Sequence, residues 1–296
     1  MSLISEIRWG RVGTAVCVAA MGLAAAMTGT AQAAVPGQAA PHHPAASHKI
    51  VMHQRGAHAS PRTPLSDLAW GGGPVEHNTK VYLVFWGSQW KSDANGVQSY
   101  LTNFFAGLGN GSERWSNVMD QYTDSSGNAS SGSPVLGGTW VDSASAAPSS
   151  ASAAQISAEA NRGASHFGVS GVNADVFVVS PSGTSPDNFP NAGFCAWHDW
   201  NGTVAYTNMP YVLDAGSGCG ANSVQNSLDG FSIVGGHEYA EAETDPQAGN
   251  GWLDSSGEEN GDLCAWQGLT ALSTSAGRFA VQPTWSNAVG GCATSA

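Results

Sequence analysis

Gly235-Gly-His-Glu-Tyr-Ala-Glu-Ala-Glu-Thr-Asp-Pro246 (GGHEYAEAETDP) gathers a histidine, three glutamates and an aspartate in a chain where only 11% of residues are charged. His237-Glu238-x-x-Glu241 differs by one letter from His-Glu-x-x-His, the helix-borne signature of zinc peptidases. On an α-helix, residues i and i+4 lie one above the other, so His237 and Glu241 project from the same face and can share one ion. Glu238 falls on the next flank, beside the ion, where a general base is wanted. The same letters also describe a solvated acidic helix with a lone histidine, so the surroundings have to decide.

A third ligand is expected downstream. Glu258-Glu-Asn-Gly-Asp262 lies just before Cys264. Glu259 is the expected ligand, and Asp262 competes for that role or supports it from outside. His198, in Gly193-Phe-Cys-Ala-Trp-His-Asp199, is the remaining candidate. It serves as a ligand or as a donor to the transition state, or else as a packed loop histidine with no function. One imidazole with two carboxylates is a harder donor set than two imidazoles with one, and it lowers the Lewis acidity of the ion. Zinc remains the first choice, and manganese and calcium fit the same set. Calcium has a further case: Asp254-Ser-Ser-Gly-Glu258-Glu-Asn-Gly-Asp262 alternates oxygen donors, although Glu259 stands where an EF-hand loop needs glycine. Other chemistries lack their signatures. There is no Gly-x-Ser-x-Gly elbow, phosphate loop or dinucleotide fingerprint, and nothing singles out a glycosidase pair of carboxylates.

The 296 residues suit one large domain or two small ones. Residues 1–33 read as a signal peptide: Arg8 and Arg11, an apolar stretch over 12–28, and Ala31-Gln32-Ala33 as the cleavage site. Removing them takes away Glu6, Arg8 and Arg11 and leaves 8 basic against 21 acidic residues, a net charge of −13. Such a chain is ill suited to nucleic acid or to an anionic membrane surface. No later stretch holds 18 continuous apolar residues, so no membrane association is expected after export. Four cysteines then remain. In an exported chain they imply two disulfides, and Cys195–Cys219 with Cys264–Cys292 is favoured among the three pairings because each closes a local loop.

Residues 34–67, rich in Ala, Pro and His, read as a disordered linker or pro-segment, and a single domain is expected over 68–296. Lys80–Trp86 and Ala174–Ser180 read as strands, the second a buried one. Thr203–Thr207 reads as a more polar edge strand. Residues 96–108, 112–122, 151–166 and 226–244 read as helices. Residues 123–150 read as a long surface excursion with a short strand near Gly138–Val141, and Arg278–Gln282 as the last strand. Helix, buried strand, polar edge strand and acidic helix is the element order of zincin-like peptidases. The expected class is therefore α+β, a zincin-like mixed sheet behind a metal-binding helix, with a loop-rich C-terminal part. That step is an analogy of fold.

Several of these stretches carry a family resemblance. Val81-Tyr-Leu-Val-Phe-Trp-Gly87 after Gly72-Gly-Pro74, the Phe194-Cys195…His198 segment, and Gly277-Arg-Phe279 through Trp285 to Cys292 resemble the phosphate-induced, EXORDIUM-like family. The His-Glu-x-x-Glu-x-x-Thr-Asp-Pro stretch and Glu259-Asn-Gly-Asp-Leu-Cys264 resemble its bacterial branch. The resemblance implies export and a shared fold. Plant members are extracellular proteins linked to growth, without an established enzymatic activity and without the His-Glu pair. Two expectations follow. One is a secreted metallopeptidase acting on protein or peptide substrates, with His237, Glu241 and Glu259 on the metal and Glu238 as base. The other is a non-catalytic extracellular or cell-wall-associated protein with a structural metal or none.

Overall fold

A computed structural model describes residues 49–57 and 66–295 of the chain. The expected signal peptide, 1–33, lies outside the described residues, as does much of 34–67. Six strands form one mixed sheet: β1 (Ile50–His53), β2 (Thr79–Trp86), β3 (Ser131–Asp142), β4 (Gly171–Val179), β5 (Phe194–Trp200) and β6 (Val204–Met209), in the spatial order β1-β5-β6-β4-β2-β3. β3, β2, β4 and β6 run parallel. β5 is antiparallel to β6, and β1 is antiparallel to β5. The near-continuous apolar runs of β2 and β4 are what strands covered on both faces require.

Three helices supply the cover: α1 (Val97–Gly107), α2 (Ala153–Phe167) and α3 (Asp229–Thr244). A Cβ added to Gly163 of α2 would lie 2.5 Å from Val84 and 3.1 Å from Val176, so α2 packs on the sheet face those valines share. Phe177 points to the opposite face and meets Phe105 of α1 at 5.0 Å between ring centroids. α1 and α3 lie together on this second face. α2 begins with a reciprocal capping box between Ser152 and Gln155 and stops at Gly168 in the left-handed conformation. α1 starts where Asp93 accepts hydrogen bonds from the backbone N–H groups of Val97 (3.0 Å) and Gln98 (2.8 Å).

α3 is buried along its whole length, polar residues included. Gly236 eases this burial. A Cβ on Gly236 would lie 3.1 Å from Trp115 and 3.2 Å from Phe104, so the helix runs against aromatic rings that would have to give way to a side chain there. The C-terminal part adds two hairpins, β7 (Thr270–Thr274) with β8 (Gly277–Val281) and β9 (Thr284–Ser286) with β10 (Gly291–Ala293).

The structure corrects several expectations. Val204–Thr207, expected as part of an edge strand, belongs to β6, an interior strand, because Thr207 and Asn208 are buried between neighbours on both sides. The antiparallel strand is β5, drawn from a segment expected as loop. Residues 131–142, expected to lie within a surface excursion, form the long parallel edge strand β3. Two strands follow Arg278–Gln282. Ile50–His53, inside the expected linker, is a strand: four residues with no periodicity suffice when a ready-made edge supplies the backbone partners.

Candidate metal centre

α3 places His237 and Glu241 one turn apart, with Glu238 on the adjoining flank, in a layer closed by β5 in front and by the loop 254–264 at the side. All six expected site residues converge here. His237 Nε2 lies 2.8 Å from Glu241 Oε1 and 3.5 Å from Asp262 Oδ1. His198, from β5, sets Nδ1 3.4 Å from Glu238 Oε2 and 3.7 Å from Glu241 Oε2, and Nε2 3.7 Å from Glu259 Oε1. Two triads therefore have ligand spacing, His198–Glu241–Glu259 and His237–Glu241–Asp262, and they share Glu241 through its two oxygens. The expected set His237–Glu241–Glu259 is thus divided: Glu259 sides with His198, and His237 with Asp262.

His198, His237, Glu238, Glu241 and Glu259 are fully buried. His198 Nδ1, His237 Nε2, Glu241 Oε2 and both carboxylate oxygens of Glu238 and of Glu259 have no hydrogen-bond partner. The 2.8 Å contact of His237 Nε2 with Glu241 lies off the N–H direction, so it is a close approach and not a satisfied bond. Buried polar atoms without partners are costly, and here they face one another. Two imidazoles meet Glu238, Glu241, Glu259 and Asp262, an excess of acceptors that a cation would balance. The residues fit a divalent ion, and the oxygen-rich set leaves its identity open among zinc, manganese and calcium.

Protons and a cation compete for these atoms. Burial works against charge on His198, but Glu238, then Glu241 and Asp245, outweigh it and push its pKa up to about 9. Burial also works against charge on His237, and Glu241 and Asp262 more than offset it, holding its pKa well above the usual histidine range. Burial first, then Glu241 and Asp245, pushes Glu259 far above the carboxylate range. Asp262 is raised, by burial and then Glu241.

Gln282 bears on His237 from behind. Its amide nitrogen donates to Gly261 O at 2.8 Å and meets His237 Nδ1 at 3.1 Å. In this orientation Nδ1 accepts, and a neutral ring carries its proton on Nε2. Turning the amide over would let Nδ1 donate and free the Nε2 lone pair for a cation, at the cost of setting an oxygen against the Gly261 carbonyl. Sequence reasoning missed Gln282, although a polar residue ending the apolar run Phe279–Val281 was a signal. Gly261 was missed too: a Cβ there would lie 2.8 Å from both Glu241 Oε1 and His237 Nδ1.

The expected calcium loop does not close on its own ion. Asp254 Oδ1 accepts from the N–H groups of Ser256 (2.7 Å) and Glu258 (3.0 Å), a local turn, while Glu259 and Asp262 turn inward to α3. Among the described residues, no ligand-spaced group contains Asp254 or Glu258. Asp245 closes α3, with its carboxylate accepting from the backbone N–H groups of Gly249, Asn250 and Gly251.

Two disulfides, Cys195–Cys219 and Cys264–Cys292, hold the edges of the site. The first ties β5, three residues before His198, to the turn that leads into α3. The second anchors the chain just past Asp262. Both fit an oxidising compartment, and no helix among the described residues is long and apolar enough to cross a membrane. Comparison with protein-family models, with curated proteins and with solved structures finds no match for the chain.

Proposed function

We propose that this chain is an exported, metal-dependent peptidase of zincin-like architecture. The observation that carries the reading is the convergence on one buried helix of imidazole and carboxylate atoms with no other partner. Glu241, with His198 and Glu259 on one side or His237 and Asp262 on the other, would hold the ion. When bound, the ion would supply Lewis-acid polarisation of a peptide carbonyl and of a water. Glu238 would take a proton from the attacking water at a carboxylate oxygen and return it to the departing amine. With the ion on His237 and Asp262, His198, 3.4 Å from Glu238, would orient that carboxylate and balance its charge. An antiparallel strand carrying His198, next to parallel strands and ahead of the acidic helix, supports the zincin-like reading. The proposal includes membership of the bacterial EXORDIUM-like branch, which rests on the motif residues alone.

The test is elemental analysis of the purified chain with casein hydrolysis by wild type and Glu238→Gln. A stoichiometric metal, with hydrolysis lost in the variant while the metal stays, is the expected result. A chain that takes up no divalent ion on titration would sink the proposal. The second reading, an extracellular protein with a structural ion, is favoured by one observation: the ligand atoms are sealed from solvent. It predicts a bound metal and no hydrolysis under any condition.

A further inference from the structure

The sealing of the site and the position of β1 are connected. β5 is the strand that carries His198, and its outer edge is paired by Ile50–His53, a segment from the N-terminal side of the domain. The register sets Ile50 opposite His198 and Met52 opposite Ala196. Residues directly opposite in an antiparallel pair point to the same face, so Ile50 and Met52 lie on the α3 face, alongside the candidate ligand. Met52 is fully buried. Without β1, β5 would present a row of unpaired backbone groups, the form of surface that binds an extended peptide by adding a strand.

The segment is held as a ligand would be held. Its main chain pairs along the edge and continues with Gln54 N–H to Gly193 O (2.9 Å) and Arg55 N–H to Gly218 O (2.8 Å). Gln54 Nε2 donates to Pro190 O at 2.7 Å, and Trp266 Nε1 donates to His53 O at 2.8 Å. A cation marks each end: Lys49 Nζ sits 4.8 Å from the Trp197 ring and pairs with Asp187, and Arg55 sits 5.2 Å from the Trp266 ring. Basic ends suit a strongly acidic body.

We propose that the outer edge of β5 is a binding site for extended peptides with an apolar residue opposite His198 and basic flanks, and that residues 50–53 occupy it as a tethered self-ligand. Displacing β1 opens the way to the site. What happens to a peptide once bound rests on the peptidase reading; the binding itself does not. Two surface depressions among the described residues, one lined by Trp140, Arg162 and His166 and the other by Glu113, Arg114 and Asp120, lie away from the cluster.

The experiment compares the wild-type chain with two opened forms. In one, proline replaces Ile50 or Val51, tested separately because only alternate residues of an antiparallel strand direct their N–H at the partner. In the other, residues 58–65 are replaced by a specific protease site that is cut after folding, so a variant that fails to fold does not end the test. A labelled peptide with the sequence of residues 49–55 (Lys-Ile-Val-Met-His-Gln-Arg) is titrated by fluorescence anisotropy. Amide exchange over Phe194–Trp200 and casein hydrolysis with added zinc are read in parallel. Opened forms are expected to bind the peptide at least tenfold more tightly than wild type, to bind a scrambled peptide no better than wild type does, and to lose exchange protection on β5. Binding with hydrolysis supports both proposals. Binding without hydrolysis supports the strand-edge site and overturns the peptidase. Hydrolysis without a gain in binding, or a folded opened form that gains neither, overturns the strand-edge site.

Discussion

Among the buried carboxylates of this domain, two groups answer burial differently. Glu76, Asp175 and Glu243 have no histidine at ligand spacing, although the charge of His198 reaches Asp175. Glu243 accepts from Ser131 Oγ at 2.9 Å, and burial, tempered by its bonds to Tyr239 and Ser131, raises its pKa to about 8. Glu76 has both oxygens unpartnered, and burial followed by the charge of Asp175 lifts it well above its ordinary range. This group meets burial by holding protons. The group around His198 and His237 interleaves imidazoles with carboxylates at ligand spacing, and none of Glu76, Asp175 or Glu243 belongs to a ligand-spaced group among the described residues. Burying acids is not enough to make a metal centre; geometry and mixed donors are also needed. α3 carries both solutions, with Glu241 in one and Glu243 in the other.

The largest test of this contrast exchanges those two glutamates. Glu241→Gln should weaken zinc binding by more than about 1,000-fold, because both triads lose their shared ligand. Glu243→Gln should leave zinc affinity within about threefold, because that carboxyl already carries a proton at neutral pH. Isothermal titration with zinc separates them, and equal losses would erase the distinction.

Next in size is the response to pH. The ordinary pKa of His198 is 6.5 and its folded value is about 9. Its contribution to stability is complete below pH 6.5 and lost as pH rises through 9, about 3 kcal/mol over the window. Glu243 releases its proton near 4.5 when unfolded and near 8 when folded, so it also costs stability as pH rises. Metal-free protein should therefore melt at progressively lower temperature from pH 5 to 9. The rise in Tm on adding zinc should grow over the same interval, since zinc and protons compete. A zinc effect that shrinks with pH would contradict the competition.

Gly261→Ala should come third. The added methyl meets Glu241 and His237 at 2.8 Å, which predicts a zinc affinity about 10–100-fold weaker. Gly236→Ala presses only on Trp115 and Phe104, so it should cost about 1–3 kcal/mol of stability with little change in zinc affinity. Paired denaturation and zinc titration decide between these. The smallest effect is expected at Asp254→Ala, which loses a turn and about 1 kcal/mol of stability while metal content is unchanged.

Much of this was legible in the sequence. The apolar runs of β2 and β4 and the spacing of α1 announce themselves, because burial of a periodic face leaves a pattern. The motif His237–Glu241 placed three donors on one helix, and local loop closure favoured the disulfide pairs that the structure contains. β5 was not legible. Phe194–Trp200 alternates nothing, since both faces are buried and His198 sits among apolar neighbours. β1 was hidden for another reason: its strand character comes from the edge it meets. The division of ligands into two triads could not be read either, because Glu259 and Asp262 are close in sequence and only the fold of their loop sends them to different histidines.

The pairing of β1 has a consequence for the order of events in folding. Ile50 is synthesised long before His198, yet its strand partner is β5 alone. The other five strands can assemble without it, whereas β1 must wait for β5 and then close a very long loop. Of the strands among the described residues, the first to be made should thus be the last to dock. Pulse-labelled exchange would see this as protection reaching the inner side of β5 before the outer side. During that interval the newly folded protein would display an open edge to whatever extended chain is nearby.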